Sequence, residues 1–272
     1  MLPVSAIPLT CSLALSPTLA AQGTDTPDRP AESTESLPLE TPPSPGCKLR
    51  VTPYVWIPAQ QGDVSIRGNA AEVDLSIADT LDLVAENFNF AASLRLELER
   101  GPWTVLADAM YLSIEADDAA LSDDSADIRQ DQGIFELGLA YAALEQHRDE
   151  GLAFRIEPLA GVRVHHLQLD IDSRMSGAFS GDQTWADAFA GVRGRMAVTD
   201  RLSLFARADI GVGGSDLTWN TLGGVKFDVS DCIGIVAGYR ALYIDYSDGH
   251  GAERFRYDAT LHGPFVALTI SF

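Results

Sequence analysis

Two short motifs with carboxylates are the residues of this chain whose spacing could support hydrolysis. Asp248-Gly249-His250 places an imidazole two residues from a carboxylate, and Asp170-Ile171-Asp172 holds two carboxylates at the same spacing. An imidazole can act as a general base while a carboxylate positions the attacking water. Ser247 could also serve as a nucleophile with His250 as its base. Because such spacings arise by chance in polar loops, we expect no catalytic residues and no enzyme.

A second acidic segment could bind a divalent cation. Its aspartates are Asp117, Asp118, Asp123, Asp124 and Asp127. Carboxylates at this spacing suit Ca²⁺, but no glycine-anchored loop of the EF-hand kind surrounds them. A solvated acidic loop is the simpler interpretation, so we expect neither a metal site nor a cofactor. His165 and His166 are neighbours on a predicted strand and must face opposite sides, so they cannot form a two-histidine site together.

The chain is strongly acidic, with a net charge of −20. Nucleic acid is a poor partner for such a chain, because phosphate contacts need clustered Lys and Arg. The acid concentrates in 63–86, 115–131 and 245–253, which we interpret as loops. No apolar run is long enough for a membrane-spanning helix. This does not exclude a membrane protein, because a membrane-spanning strand needs only every second residue to be apolar.

The N-terminus has two segments of different composition. Residues 1–21 combine an apolar run with Thr18-Leu19-Ala20-Ala21, a small-residue cleavage pattern, and we interpret them as a signal peptide. Residues 22–46 are rich in Pro, Ser, Thr and Glu and poor in apolar residues, which predicts a disordered linker. The folded domain is therefore expected over 47–272.

Apolar and polar residues alternate in segment after segment of this domain. In the clearest case, 88–100, Leu94 and Leu96 fall on one face and Arg95 and Glu97 on the other. Short turns at Arg100-Gly101-Pro102, Glu145–Gly151, Thr199-Asp200-Arg201 and Ser230-Asp231-Cys232 alternate with long acidic connections. The predicted strands are Lys48–Ile57, Phe88–Arg100, Trp103–Ala116, Gln132–Leu144, Leu152–Asp170, Trp185–Thr199, Leu202–Gly213, Leu217–Val229, Ile233–Tyr246 and Tyr257–Phe272. This pattern predicts an all-β fold, an up-and-down antiparallel transmembrane β-barrel of ten strands, with eight as the alternative.

The two faces of these strands indicate a protein with lipid outside and charge inside. The polar face carries both signs in similar numbers and would neutralise itself in a narrow lumen. Its members are Arg95, Glu97, Glu99, Glu136, Arg155, Glu157, Arg163, Asp187, Arg193, Arg195, Arg207, Asp209, Lys226, Asp228 and Arg240. Aromatic residues near strand ends suit girdles at the membrane interfaces, and these are Trp56, Trp103, Trp185, Trp219, Tyr243 and Phe272. A soluble β-sandwich or lipocalin-like barrel is the alternative.

Cys47 and Cys232 remain after cleavage of the signal peptide, and an even pair in an exported protein permits one disulfide. Both are expected at the periplasmic end of the barrel, separated by about two strand spacings, or ~10 Å. A disulfide needs Cα atoms within ~7 Å of each other unless the backbone moves. The sequence therefore leaves undecided whether Cys47 and Cys232 are bonded.

The last strand carries the sharpest motif of the chain. Leu268, Ile270 and Phe272 alternate with small or polar residues, and the chain ends in an aromatic ring. This pattern resembles the C-terminal assembly signal of bacterial outer-membrane β-barrel proteins, and the resemblance covers 48–272. Tyr54-Val55-Trp56-Ile57-Pro58 and His262-Gly263-Pro264-Phe265 are similar to segments of small, uncharacterised barrels of this class. The resemblance implies a monomer in the outer membrane of a Gram-negative bacterium, with lipid, lipopolysaccharide and the barrel assembly machinery as partners.

From these features we expect a structural or narrow-channel, porin-like role, with a lumen filled by Arg and Glu pairs. One alternative is an adhesin or ligand-binding barrel that acts through its acidic outer loops. A second alternative is a rim enzyme, either lipid-modifying or a protease. The omptin proteases use Asp and His at the outer rim, but the order of these residues along the present chain differs from theirs.

Overall fold

The computed structural model describes residues 46–66, 69–86, 91–121, 124–148, 151–173, 177–251 and 254–272. The predicted signal peptide and linker lie outside the described residues. The strands are β1 (Cys47–Trp56), β2 (Ala59–Ile66), β3 (Asn69–Leu75), β4 (Ala91–Arg100), β5 (Trp103–Leu121), β6 (Asp124–Tyr141), β7 (Leu144–Arg148), β8 (Gly151–Ser173), β9 (Gly177–Ala197), β10 (Leu202–Gly213), β11 (Leu217–Asp228), β12 (Ile233–Asp248) and β13 (Phe255–Ser271), and the helix is α1 (Ile77–Glu86).

Ten of these strands form a closed antiparallel barrel. Around the wall the order is β1, β4, β5, β6, β8, β9, β10, β11, β12 and β13, and β13 returns to β1 through the pair Arg50 and Ser271. Gly101, with φ of 58°, occupies the left-handed region in the turn between β4 and β5, where glycine is favoured. The ten-stranded prediction is confirmed over the eight-stranded alternative.

The barrel strands run further outward than the sequence indicated. β5 and β6 stay paired up to Leu121 and Asp124, through a segment that we interpreted as an acidic loop. β8 has 23 residues and β9 has 21, whereas about 9–11 tilted residues cross a bilayer. Polar side chains outside the membrane can face water on both sides of a sheet, so the ladder continues without apolar alternation. At the periplasmic end, β7 pairs with β8 where we predicted a turn.

The segment between the first two wall strands is folded, although it was predicted as a loop. β2 continues β1 along β13 in the same register, with Trp56 opposite Phe265 and Ala59 opposite His262. The ladder is interrupted at Pro58, which has no N–H to donate. β2 then pairs with β3 as a hairpin, and α1 packs against β2 and β5.

Side-chain hydrogen bonds fix the start of α1. The Ser76 hydroxyl accepts from the Asp79 amide at 3.2 Å, and the Asp79 carboxylate accepts from the Ser76 amide at 2.9 Å. This reciprocal arrangement is a capping box, and the bonds from Ser76 lower the pKa of the Asp79 carboxyl. The Thr80 hydroxyl donates to the carbonyl of Pro58 at 2.8 Å, which ties the helix to the interruption between β1 and β2.

The wall has an apolar outer surface and a charged inner surface. Leu137, Val266 and Ile210 are 62 %, 58 % and 57 % exposed on the outside, whereas the inward Arg163 and Glu157 have no exposed surface. Leu94 and Leu96 face out and Arg95 and Glu97 face in, as the alternation predicted. Among the described residues, no helix is long and apolar enough to cross a membrane.

The aromatic girdles are only partly as predicted. Trp103 packs against Tyr141 at the periplasmic end, with ring centroids 4.8 Å apart, and Trp219 stacks on Tyr243 at the outer end. Phe272 is also exposed. The prediction was wrong for Trp56 and Trp185, which are 3 % and 6 % exposed inside the barrel. Each lies on the inward parity of its strand, so its closeness to a strand end was misleading.

Candidate functional site

A layer of ion pairs that we call the central network crosses the lumen at mid-height. Glu136 accepts hydrogen bonds from Arg163 at 2.9 Å, Arg207 at 2.8 Å and Arg240 at 3.3 Å. Asp209 accepts from Arg163 at 2.5 Å and from Arg207 at 2.7 Å. Two carboxylates therefore share three guanidinium groups, each of which offers several donors in a fixed plane.

The central network extends across the bore to the opposite wall. Arg240 donates to Asn220 at 2.9 Å and lies 3.4 Å from the Tyr54 hydroxyl. The Tyr54 hydroxyl donates to Asp108 at 2.7 Å, and Arg95 donates to the same carboxylate at 2.6 Å. Its residues come from eight of the ten wall strands, namely β1, β4, β5, β6, β8, β10, β11 and β12.

Aromatic rings pack against the guanidinium groups of the central network. Arg163 and Arg207 lie 5.0 and 5.2 Å from the ring centroid of Phe189, which β9 contributes. Arg240 lies 5.0 Å from the ring centroid of Trp56. A cation over an aromatic face is attracted by the ring quadrupole, so these rings support charges that have little contact with water.

An apolar layer, the outer apolar core, fills the lumen above the central network. Leu242, Ile244 and Leu261 have no exposed surface. Trp185 stacks between His165 and Tyr246, with ring centroids 5.0 and 4.0 Å away. The sequence predicted a lumen filled by charge, and it missed this layer because these residues share the inward parity with the charged ones.

A second set of charges, the ion-pair ring, lies below the central network on the side of β1, β4, β8 and β9. Its alternating members are Arg50, Glu97, Arg193, Glu157, Arg155 and Glu99, and the six contacts between successive members, including the one that returns to Arg50, measure 2.8 to 3.1 Å. Arg195 lies outside this ring, 3.4 Å from Glu99 and 3.7 Å from Glu157.

A cavity of about 710 Å³, the periplasmic cavity, lies beside the ion-pair ring. Arg207, Arg240 and Tyr54 of the central network line its inner end, and Lys48 and Phe272 line its periplasmic mouth. One wall is cationic and comes from β1, β4 and β9. The opposite wall comes from β10 to β13, and its apolar part consists of Phe205, Leu222, Val236, Phe265 and Ala267.

The structure places the fifteen predicted lumen residues on the inward face. Asp187 accepts from the amide and hydroxyl of Ser215 at 2.8 and 2.6 Å, and Lys226 lies 2.7 Å from Asp228. The sequence reasoning missed Arg50, Asp108, Tyr54 and Asn220. Arg50 and Tyr54 could have been found, because the face of β1 that contains them also carries Lys48 and Thr52. Asp108 lies between Ala107 and Ala109, where the alternation is weak.

The candidate catalytic motifs are not assembled by neighbouring strands. Asp170 and Asp172 lie on β8, and Asp248 ends β12, with β9, β10 and β11 between them in the wall. His250 is exposed. The Ser247 hydroxyl donates to Asp216 at 3.2 Å, so its described partner is a carboxylate and not an imidazole.

The structure describes only part of the acidic segment that was considered as a cation site. Asp117, Asp118 and Asp124 belong to strands but their side chains are not described, and Asp123 is outside the described residues. Asp127 is exposed. Within the part of the chain that is described, no three His, Cys, Asp or Glu residues come together as a metal site.

Cys47 and Cys232 are free thiols in this structure. The backbone register shows why Cys47 and Cys232 are not bonded to each other. Cys232 is level with Ser271, because the next pair is Ile233 and Ile270, and Ser271 is level with Arg50. Cys47 lies three residues beyond Arg50, so an offset of ~10 Å along the strand adds to ~10 Å across two strand spacings, or roughly 14 Å in all. That distance exceeds the reach of a disulfide.

A closed barrel with apolar residues outside and ion pairs inside is a transmembrane β-barrel of the bacterial outer-membrane class. No family model matches the chain, and no curated protein matches it. Among solved structures, it is similar to the outer membrane protease OmpT of Escherichia coli, with 10 % identity over 88 % of this chain and 100 % of that chain and a TM-score of 0.49. It is also similar to the attachment invasion locus protein Ail of Yersinia pestis, with 11 % identity over 84 % and 99 % of the two chains and a TM-score of 0.35. Neisserial surface protein A gives 11 % identity over 83 % and 97 % and a TM-score of 0.30. Identities this low carry no information on activity.

Proposed function

We propose that this protein is a non-conducting outer-membrane barrel with a structural role. The observation that carries the proposal is the central network, which reaches eight of the ten wall strands. The outer apolar core covers it on the extracellular side, so a charged layer and an apolar layer of side chains both block the bore. We assign no catalysis to the barrel, and its neighbours in this proposal are outer-membrane lipid and lipopolysaccharide.

The central network opposes the passage of ions for an energetic reason. A hydrated ion would have to separate buried pairs such as Arg163 and Glu136, whose side chains are 0 % and 1 % exposed. Removing one partner from a buried pair typically costs about 3–5 kcal/mol, because the other charge is left without compensation. Several such pairs lie across the bore, so we expect conduction to be rare on the timescale of channel recordings.

Conductance in planar bilayers tests this proposal. The wild-type barrel should give low or no current, and steady porin-like currents would overturn it. Substituting Arg95, Arg193 or Arg207 by Ala should raise the conductance, because each change leaves a gap and removes one positive charge from the lumen. Arg256→Ala is the matched control, since this side chain is 47 % exposed and pairs with Asp258 outside the plugged region.

Surface binding through the outer rim is a second candidate function. The long strands β8 and β9 carry the rim well beyond the membrane, and exposed pairs such as Arg129 with Glu115 lie there. Shortening these strands outside the membrane should abolish attachment to a surface without loss of barrel assembly if the rim binds. Changing Asp248 or His250 and assaying turnover of peptide or lipid A tests the rim-enzyme alternative in the same preparations.

A further inference from the structure

The number of basic residues around the periplasmic cavity is unusual for so acidic a chain. Eight of the 19 Lys and Arg residues of the whole chain line this one space. They are Lys48, Arg50, Arg95, Arg193, Arg195, Arg207, Lys226 and Arg240, while the acids that line it are Glu97 and Asp231. A concave site in which one sign of charge predominates concentrates ligands of the opposite sign.

Part of this positive charge is not neutralised by the protein. The ion-pair ring balances three arginines against three glutamates, so Arg195, with contacts of 3.4 and 3.7 Å, is surplus to it. Lys48 forms no ion pair with the described residues. Arg193 is only 8 % exposed, yet its Nη2 atom, like Nε of Arg195, has no hydrogen-bond acceptor among the described residues. Buried donors are normally satisfied, so these atoms are available to an anion that enters the cavity.

The opposite wall calls for an apolar group. Phe205 and Phe265 approach each other with centroids 6.3 Å apart, and Leu222, Val236 and Ala267 complete the surface. The free energy falls when an apolar molecule displaces water from such a wall. The volume of about 710 Å³ lies within the range of small-molecule pockets, ~300–1,000 Å³.

We propose that the periplasmic cavity binds an amphipathic anion, a molecule with a carboxylate or phosphate head and a single apolar chain. The head lies against Arg193, Arg195 and Lys48, and the chain lies along the wall of Phe205 and Phe265. Entry is from the periplasm, because the inner end of the cavity is closed by the central network. Binding is independent of conduction, so this proposal and the non-conducting barrel can fail separately.

Equilibrium binding to the full chain in phosphatidylcholine vesicles tests the proposal without competing detergent. Dodecanoate and dodecyl phosphate should bind, whereas dodecanol, which lacks the charge, and acetate, which lacks the chain, should bind at least ~10-fold more weakly. Affinity for the carboxylates should rise up to roughly fourfold for each added methylene until the cavity is filled. If dodecanol or acetate bound as tightly as dodecanoate, the proposal would be overturned.

Two variants separate the cationic wall from general damage to the barrel. Arg195→Gln leaves the ion-pair ring complete and should weaken dodecanoate at least ~10-fold while leaving dodecanol unchanged. Lys48→Gln lies at the exposed mouth and should weaken dodecanoate in the same direction, and Arg256→Gln at the outer rim should have no effect. A heat-modifiable gel shift verifies folding, and unchanged dodecanoate affinity in both folded cavity variants would refute the site.

The head group identifies the source of the ligand. Stronger binding of dodecanoate than of dodecyl phosphate assigns the site to free fatty acids. Stronger binding of dodecyl phosphate, together with binding of a lysophosphatidylglycerol, assigns it to a membrane lipid. Either result supports an amphipathic anion, and failure of all three compounds to bind would leave the cavity without this function.

Discussion

Glu136→Gln is the substitution that probes the central network most directly. The glutamine keeps the size of the side chain but removes the charge that Arg163, Arg207 and Arg240 share. Glu136 is 4 % exposed, so water cannot replace the lost carboxylate. The variant also keeps the wall intact, because Glu136 faces the lumen and not the lipid.

The expected loss follows from what each arginine retains. Arg163 and Arg207 still have Asp209, Arg240 still has Asn220, and the new amide oxygen still accepts one hydrogen bond. The loss should therefore be that of one broken buried pair, about 3–5 kcal/mol, and not that of three. Adding Arg240→Gln should recover part of it, because the double variant again balances the buried charges.

Urea unfolding in phosphatidylcholine vesicles, followed by tryptophan fluorescence and the heat-modifiable gel shift, measures this loss. Glu115→Gln is the control, because Glu115 and Arg129 form an ion pair at the rim with side chains 49 % and 55 % exposed. Exposed pairs contribute about 0–1 kcal/mol. Two outcomes would show that the central network does not stabilise the barrel as argued. One is an equal loss of unfolding free energy in Glu136→Gln and Glu115→Gln. The other is a loss in the double variant that equals the sum of the losses from Glu136→Gln and Arg240→Gln alone.

The remaining predictions concern the outer surface, the last residue and the cysteines. Leu137→Arg at mid-membrane should lower the free energy of unfolding by about 2–4 kcal/mol and Leu144→Arg near the periplasmic edge by about 0–1 kcal/mol in the same urea titration, and equal losses would contradict the assigned lipid face. Phe272→Ser should reduce assembly of the barrel in cells but not unassisted folding into vesicles, if the assembly machinery recognises this ring; a deficit in both would make it a packing residue. Cys47 and Cys232 should both react with a water-soluble maleimide after purification from oxidised cells, and a chain that takes up no maleimide until it is reduced would reveal a disulfide.

The wall could be predicted from the sequence because lipid and lumen impose opposite chemistry on alternate residues. Leu202–Gly213 was predicted with the bounds that the structure gives β10. In such a strand, Arg207 and Asp209 must face in while Ile210 and Val212 face out, and a shift of one residue would place charge in lipid. The register therefore follows from the pattern alone.

The parts that were missed lie where this constraint ends. β2, β3 and α1 occupy an acidic segment outside the membrane, where water accepts either face, so alternation gives no signal. Their order comes instead from the backbone edge of β13 and from a few inward residues, such as Val64 at 3 % exposed. The periplasmic cavity could not be predicted either, because it depends on how residues 50, 195, 205 and 265 meet across the bore.

The ion-pair ring has a consequence for the order in which this chain can become a barrel. Glu97 and Arg193 are 96 residues apart, and the ring draws on strands from both halves of the chain. When only the first wall strands exist, Glu97 and Glu99 face water and find Arg50 alone. An early hairpin therefore gains little from its charged side, and long-range contacts of this kind slow folding because the loops must close first. The ring can close only after β9 has joined the wall, because Arg193 is the residue that links Glu97 to Glu157. A chain cut before β9 would keep Arg50 and Arg155 but would lack this link.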